Sequence, residues 1–319
     1  MLYLTSDETM KTEVCIMGKL LFIGSVVADV IVRLPELPRT GDDVNIMSQQ
    51  VSLGGCAFNA YSAAQLLGAD CALFAPVGGG IWGDWVRRAL AERGVSTLIP
   101  PVQDANGCCY CLVEPDGERT FLCEHGAEYR FLPEWFDLLD GKTYDGAYLC
   151  GLEVEEETGD MLIDYLEDHP PRTLYFAPGP RICHIPPSRM ARILSLHPVL
   201  HLNESEALQF TCADTAEEAA FRIHSITGNA VVITLGGSGA YVYQHGCGSV
   251  IPACKATVVD AIGAGDAHIG ALMAGLSSGM PLEDAAMQAN RMSAAVVSHP
   301  GATLTAEAWQ AYRNKQEKE

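Results

Sequence analysis

Short apolar runs rich in β-branched residues alternate with helical patterns along most of the chain, and that rhythm constrains the fold more than any other feature. Residues 71–77 precede a helical pattern at 83–93, residues 146–150 precede another at 155–168, and further runs stand at 173–176, 199–202 and 230–235. Strand, helix, strand, repeated in this way, predicts a parallel sheet buried on both faces, because parallel strands need crossovers and the crossover helices cover the sheet. The stretch 18–32, GKLLFIGSVVADVIV, reads as the first buried strand. No tandem repeat or linker-like tract interrupts the pattern, so one continuous domain over 19–319 is expected, preceded by an accessory tail at 1–18 without clear periodicity.

Two regions break the rhythm: residues 43–53, and the runs 107–113 and 119–124 that flank the turn residues Pro115, Asp116 and Gly117. Antiparallel strands inserted into a parallel plan are expected to form a small sheet beside it, here a lid built from about 43–53 and 107–124. Polar and apolar residues alternate at 119–124, so one face could cover a substrate or meet the same sheet of a second subunit in a homodimer.

Forty acidic against twenty basic residues give a formal net charge of -20, which repels nucleic acid and anionic membranes. An anionic substrate must therefore be held by local devices: a metal ion, helix N-termini or backbone amides. The N-terminal apolar stretch is interrupted by Lys19 and Asp29 and lacks a small-residue cleavage site, so it reads neither as a signal peptide nor as a membrane span. A cytoplasmic location is expected, with the 12 cysteines kept reduced. Cys108 and Cys111 have the gap of a zinc half-site, but no second pair or His partner follows at ligand spacing, and they read as strand thiols.

Four segments supply such local devices. In VVDAIGAGDAHIGALMAGL, residues 258–276, an apolar run stops at Asp260, the small residues Gly263, Ala264 and Gly265 follow, and Asp266 opens a helical pattern. Glycines let backbone amides converge and the helix directs its positive end there, which makes an anion hole. A carboxylate at its mouth can accept the proton of an alcohol attacking phosphorus, although the same aspartate could simply cap a helix. In SLGGCAFNAYSAAQLLGA, residues 52–69, Gly54 and Gly55 admit close approach of a ligand and Asn59 offers an amide to hydroxyls, unless the segment is only a helix start packed on a strand. In HLNESEA, Asn203 and Glu206 would share one side of a helix and suit hydrated Mg²⁺ with its phosphates, or else form a solvated surface. In TLGGSGAY, Thr234 and the amides near Gly236 and Gly239 could hold a phosphate, or form an ordinary turn.

In this order and at these separations the four segments resemble the ribokinase-like (PfkB) carbohydrate kinase family, over roughly residues 20–304. The resemblance implies a three-layer α/β fold with a mostly parallel central sheet and a small β-sheet lid. It also implies ATP-dependent phosphorylation of a primary hydroxyl of a small sugar or sugar derivative. Asp29, Gly54, Gly55, Asn59 and Glu153 would then contact the acceptor, with Asp266 as general base and residues 263–265 as anion hole. Thr234, Gly236, Gly239 and Asn290 would serve ATP, and Asn203 with Glu206 would serve Mg²⁺ and phosphate. Asp260 and Ile262, with backbone near 298–302, resemble the K⁺-type monovalent cation site of many members.

Several positions depart from the family pattern. Cys56 stands where ribokinases often have Lys, Gly79 and Gly80 where Asp is frequent, Ala177 for a frequent Asp or Asn, and Ala261 for the usual Thr or Ser. GGCAFN together with PDGERTF is most similar to poorly characterised bacterial sugar kinases. A nucleoside kinase of the same family is the chief alternative, with Phe58, Trp82 or Phe121 as a slot for the base, and a degenerate sensor of nucleotide or sugar is another. Other nucleotide and hydrolase motifs fail. The dinucleotide fingerprint meets His268 at its third glycine, GKT at 141–143 lacks its leading glycine at Phe136, and Ser238 is followed by Ala240 rather than glycine.

Overall fold

The first apolar run already divides between two sheets. In the computed structural model, which describes residues 18–316, β1 (Lys19–Ile23) ends at Gly24 and β2 (Val27–Arg33) enters a different sheet. The single strand expected over 18–32 is thus two. At Gly24, φ is +148°, and a Cβ there would lie 2.9 Å from both the Ala57 Cβ and Glu153 Oε1. An apolar run reports burial, and burial is the same on either side of such a crossing. The accessory tail expected at 1–18 falls, except for Gly18, outside the described residues.

The chain continues through β3 (Ser48–Gly54), α1 (Cys56–Leu66), β4 (Asp70–Phe74), α2 (Gly80–Glu92), β5 (Cys108–Val113) and β6 (Arg119–Glu124). Then come β7 (Gly146–Cys150), α3 (Gly151–Glu155), α4 (Gly159–Asp168), β8 (Leu174–Ala177), α5 (Pro187–Ser195), β9 (Val199–Asn203) and α6 (Glu204–Thr211). The last elements are α7 (Ala216–Thr227), β10 (Val231–Thr234), β11 (Ala240–Gln244), β12 (Cys247–Ile251), α8 (Ala264–Ser277), α9 (Leu282–Val297) and α10 (Ala306–Gln316).

The large sheet has the order β12-β11-β10-β9-β8-β7-β1-β4, parallel from β4 to β10 and antiparallel over its last two strands. Successive side chains of a strand point to opposite faces, and β1 shows the result. Leu20 and Phe22 join a core with α1, α8 and α9, whereas Leu21 and Ile23 join another with α4, α5 and α7. Helices therefore cover both faces, as the strand–helix rhythm predicts.

The small sheet has the order β3-β2-β5-β6. Of the expected segment 43–53, strand begins only at Ser48, and β2 lies between β3 and β5, so the two expected lid segments do not pair with each other. Period-two register gives this sheet two different faces. Asp29, Cys109 and Cys123 are cross-strand partners in one row, and Ile31, Cys111 and Phe121 form the next row on the same side. The opposite side carries Val30 and Val32, packed with Trp82.

Candidate active site

The glycine turn before α8 is shaped by steric necessity. Gly263 is the N-cap with φ +73°, and a Cβ there would come within 2.5 Å of the Ala302 carbonyl oxygen. Gly265 faces open space, with nothing within 4 Å of where its Cβ would be. The amides of the first helical turn lack a carbonyl one turn back within the helix; Ala264 donates to the Ala261 carbonyl at 3.4 Å, while Gly265 and Asp266 offer donors at the positive end. Helices α1 and α8 pack closely here, since a Cβ on Gly270 would lie 2.0 Å from the Ala60 carbonyl oxygen. That close approach brings Asn59 to Asp266. Asn59 Nδ2 donates to Asp266 Oδ2 at 3.0 Å, while Asn59 Oδ1 is buried without a partner among the described residues. Burial pushes the Asp266 carboxyl up to about 6; hydrogen bonds from Asn59 and Cys56 oppose the rise, and the Glu206 charge adds to it.

On the small sheet, Asp29 stands in the middle of β2 on the row shared with Cys109 and Cys123. Gly54 makes room for it, because a Cβ there would be 1.8 Å from Asp29 Oδ2. At Gly55, φ is +98° and a Cβ would meet the Ser25 carbonyl oxygen at 2.5 Å. Burial, with the Cys123, Asp266 and Asp260 charges, pushes Asp29 up to about 7. Glu153 lies deeper. Its side chain is fully buried and Oε1 accepts from the Ser25 amide at 2.9 Å, so it fixes the crossing between the sheets. Cys123 and His125 are additional polar groups of this region that the sequence does not single out: the Cys109 and Cys123 sulphurs lie 3.1 Å apart, and His125 bonds Glu156. Only strand register and chain reversal assemble them.

On one side of the glycine turn, a cavity of about 560 Å³ is lined by Thr234, Gly236, Gly239, Ala264, Gly265 and Asn290. A second, of about 260 Å³, is lined by Cys56, Asn203, Glu206, Gly263 and Asp266. The two share Thr234, Ala261, Ala264 and Gly265, so the glycine turn is the wall between them. Gly239, with φ +105°, lets the turn after β10 close on β12, where a Cβ would be 2.0 Å from the Ile251 carbonyl oxygen.

Asn290 is committed to the protein. Nδ2 donates to the Ile251 and Pro252 carbonyls at 3.1 and 3.0 Å, leaving Oδ1 to accept from His268 Nε2 at 3.1 Å. His268 Nδ1 then accepts from His201 Nε2 at 2.9 Å. Burial lowers both imidazoles, His268 to about 4, so this pair is a neutral support behind the turn.

Asn203 and Glu206 meet differently from the shared helix side expected of them. Asn203 is the N-cap of α6 and Glu206 its third helical residue, in a capping box. Asn203 Oδ1 accepts from the Glu206 amide at 2.8 Å, and Glu206 accepts from the Asn203 amide at 3.0 Å and from Nδ2 at 2.8 Å. Asn followed three residues later by Glu is the sequence signature of that box. Burial raises the Glu206 carboxyl. Among the described residues, no group of three or more His, Cys, Asp or Glu could hold a metal.

Asp260 precedes the glycine turn and is 3% exposed. Its Oδ1 accepts from Arg119 Nη2 at 2.9 Å and from the Ile262 amide at 3.0 Å; Oδ2 accepts from the Gly301 amide at 3.3 Å. Ile262 packs against Ile31, Cys111 and Val113 of the small sheet.

No helix among the described residues is long and apolar enough to cross a membrane. The uncharacterised sugar kinase YegV of Escherichia coli (strain K12) is 33% identical over 298 residues, covering 92% of this chain and 93% of that one. Adenosine kinase from Sinorhizobium meliloti superposes with a TM-score of 0.81 at 20% identity, covering 94% of this chain and 99% of its own. Ribokinase from Cryptococcus neoformans var. grubii serotype A, in complex with ADP, superposes with a TM-score of 0.74 at 24% identity, covering 93% and 99%. These two likenesses establish a ribokinase-like α/β fold. The description pfkB family carbohydrate kinase matches residues 17–309, nearly the whole described chain and all of the glycine turn, and the protein accordingly belongs to that family of phosphotransferases.

Proposed function

We propose that the chain transfers the γ-phosphoryl group of ATP to a primary hydroxyl of a small sugar or sugar derivative. The observation that carries this reading is the position of Asp266: half-buried, in the first turn of α8, on the smaller of two cavities that the glycine turn joins. ATP occupies the larger cavity over Thr234, Gly236 and Gly239. The acceptor lies between Asp266 and the Asp29 row of the small sheet. Asp266 takes the hydroxyl proton as the new O–P bond forms and the bond to ADP breaks, and the amides of 263–265 stabilise the charge on the transferred group. Asn59 orients the carboxyl. Glu206 would hold Mg²⁺ through water, and the ion when bound would supply positive charge to offset that of the phosphates. The small sheet closes over the acceptor and excludes water, which competes as a phosphoryl acceptor. On its outer side Tyr110 and Leu122 are paired and exposed, which supports a homodimer through the lid.

The nucleoside reading draws on the likeness to adenosine kinase. Against it, Phe58 is fully buried in the core and Trp82 packs behind β2, which leaves Phe121, 52% exposed on the Asp29 side, to hold a base. ADP release measured across sugars, sugar acids and nucleosides separates the readings. Turnover is expected with a sugar or sugar derivative; faster turnover with a nucleoside would replace the acceptor, and no turnover with any alcohol would remove the kinase reading.

A further inference from the structure

The monovalent cation site that the family resemblance places at Asp260 does not fit this chain, because the carboxylate is already engaged. Arg119 reaches it from β6, 141 residues away in sequence, and Nη2 lies 2.9 Å from Oδ1. The register puts Arg119 on the same side of the small sheet as Phe121 and Cys123, so the guanidinium is aimed inward by strand alternation. The Ile262 amide also donates to Oδ1 and the Gly301 amide to Oδ2, so both oxygens have a donor. A second cation at this carboxylate would stand beside a fixed positive charge, and Ala261 supplies no side-chain oxygen in place of the family's usual Thr or Ser.

We infer that Arg119 is the built-in cation of the anion-hole loop: a positioning residue that holds Asp260, and through it the backbone from 260 to 263, without a free monovalent ion. A guanidinium differs from a bound ion in being part of the small sheet. The same contact therefore links the position of that sheet to the geometry of the glycine turn, and the packing of Ile262 on Ile31, Cys111 and Val113 runs in parallel with it. Arg119 Nε is buried and lacks a partner among the described residues, so the ion pair rests on Nη2. Arginine is suited to this role because its charge is permanent and its planar head survives partial burial better than an ammonium.

The inference rests on reading residues 263–265 as the phosphate cradle, and its test is chosen to separate the two. MgADP binding to the full chain is measured by thermal shift and calorimetry in KCl and in tetramethylammonium chloride, for the wild type, Arg119→Gln and Arg119→Lys. Wild-type affinity should differ by less than about twofold between the salts. Arg119→Gln should lose at least about tenfold in tetramethylammonium, the scale of a misplaced loop, and recover part of it in KCl or with added guanidinium, while Arg119→Lys should lie between. A merely structural arginine would lower stability without creating salt or guanidinium dependence, and that pattern overturns the inference. Wild-type binding that requires K⁺ overturns it as well and leaves the nucleotide site standing. A wild type that binds no nucleotide in either salt overturns both.

Discussion

The glycine turn has an aspartate at each end, Asp260 buried and Asp266 half-buried, and the two are treated oppositely. Asp260 meets a guanidinium and two backbone amides, which complement a carboxylate on both oxygens. Asp266 meets an amide nitrogen, a thiol and the field of Glu206, and burial pushes it up to about 6. Removal from water disfavours charge at both places; only the first has a counter-charge to offset it. On the proposed reading, the difference separates an anchor from a base. A carboxylate that is to hold a loop needs saturation, whereas one that is to take a proton needs a free oxygen and a pKa close to working conditions.

The largest expected effect strikes the Asp266 end. Asp266→Asn should keep MgADP binding and lose about 10²–10⁴-fold in turnover, the usual worth of general acid/base help. Near-normal turnover would break the comparison outright. The pH profile sharpens it. Because burial favours the neutral carboxyl, Asp266 is protonated below about 6 and cannot accept a proton there. Wild-type kcat/KM should therefore fall about tenfold per pH unit as pH drops below that value. A profile flat down to pH 5 would assign the proton to another group.

A smaller effect is expected from Glu206→Gln, which removes the charge but keeps a side chain able to accept from the Asn203 amide. Half-saturating Mg²⁺ should rise several-fold, about 1 kcal/mol for a water-mediated contact, with little change in stability. An unchanged Mg²⁺ titration accompanied by a lower Tm would leave Glu206 as a helix cap alone. The smallest effect concerns the small sheet. Acceptor binding should slow hydrogen exchange at 43–53 and 107–124, and no change in either segment would mean that the Arg119 contact holds the sheet still rather than letting it close. A monomeric mass in solution would remove the dimer without touching closure.

The strand–helix rhythm determined the parallel part of the large sheet by itself, because alternation at one period or the other follows from local hydrophobic pattern and short connections; the antiparallel edge of β11 and β12 was not read from it. Gly146–Cys150 is strand over the residues expected, and 119–124 is the returning strand of the hairpin that its turn residues imply. The glycine turn at the start of α8 was legible for the same reason: a turn that opens a helix is built from consecutive residues, so its parts are neighbours in sequence. The capping box at Asn203 was legible too, as a local pattern with a physical meaning other than the one its charge suggests. What only the tertiary structure decided are the contacts between segments far apart. The division of 18–32 between two sheets depends on Ala57 and Glu153 crowding Gly24; the Asn59–Asp266 bond depends on how closely α1 and α8 can approach at Gly270; the Arg119–Asp260 pair depends on strand register. None of these leaves a periodic trace in the chain, because each is set by which surfaces meet and not by which residues follow one another.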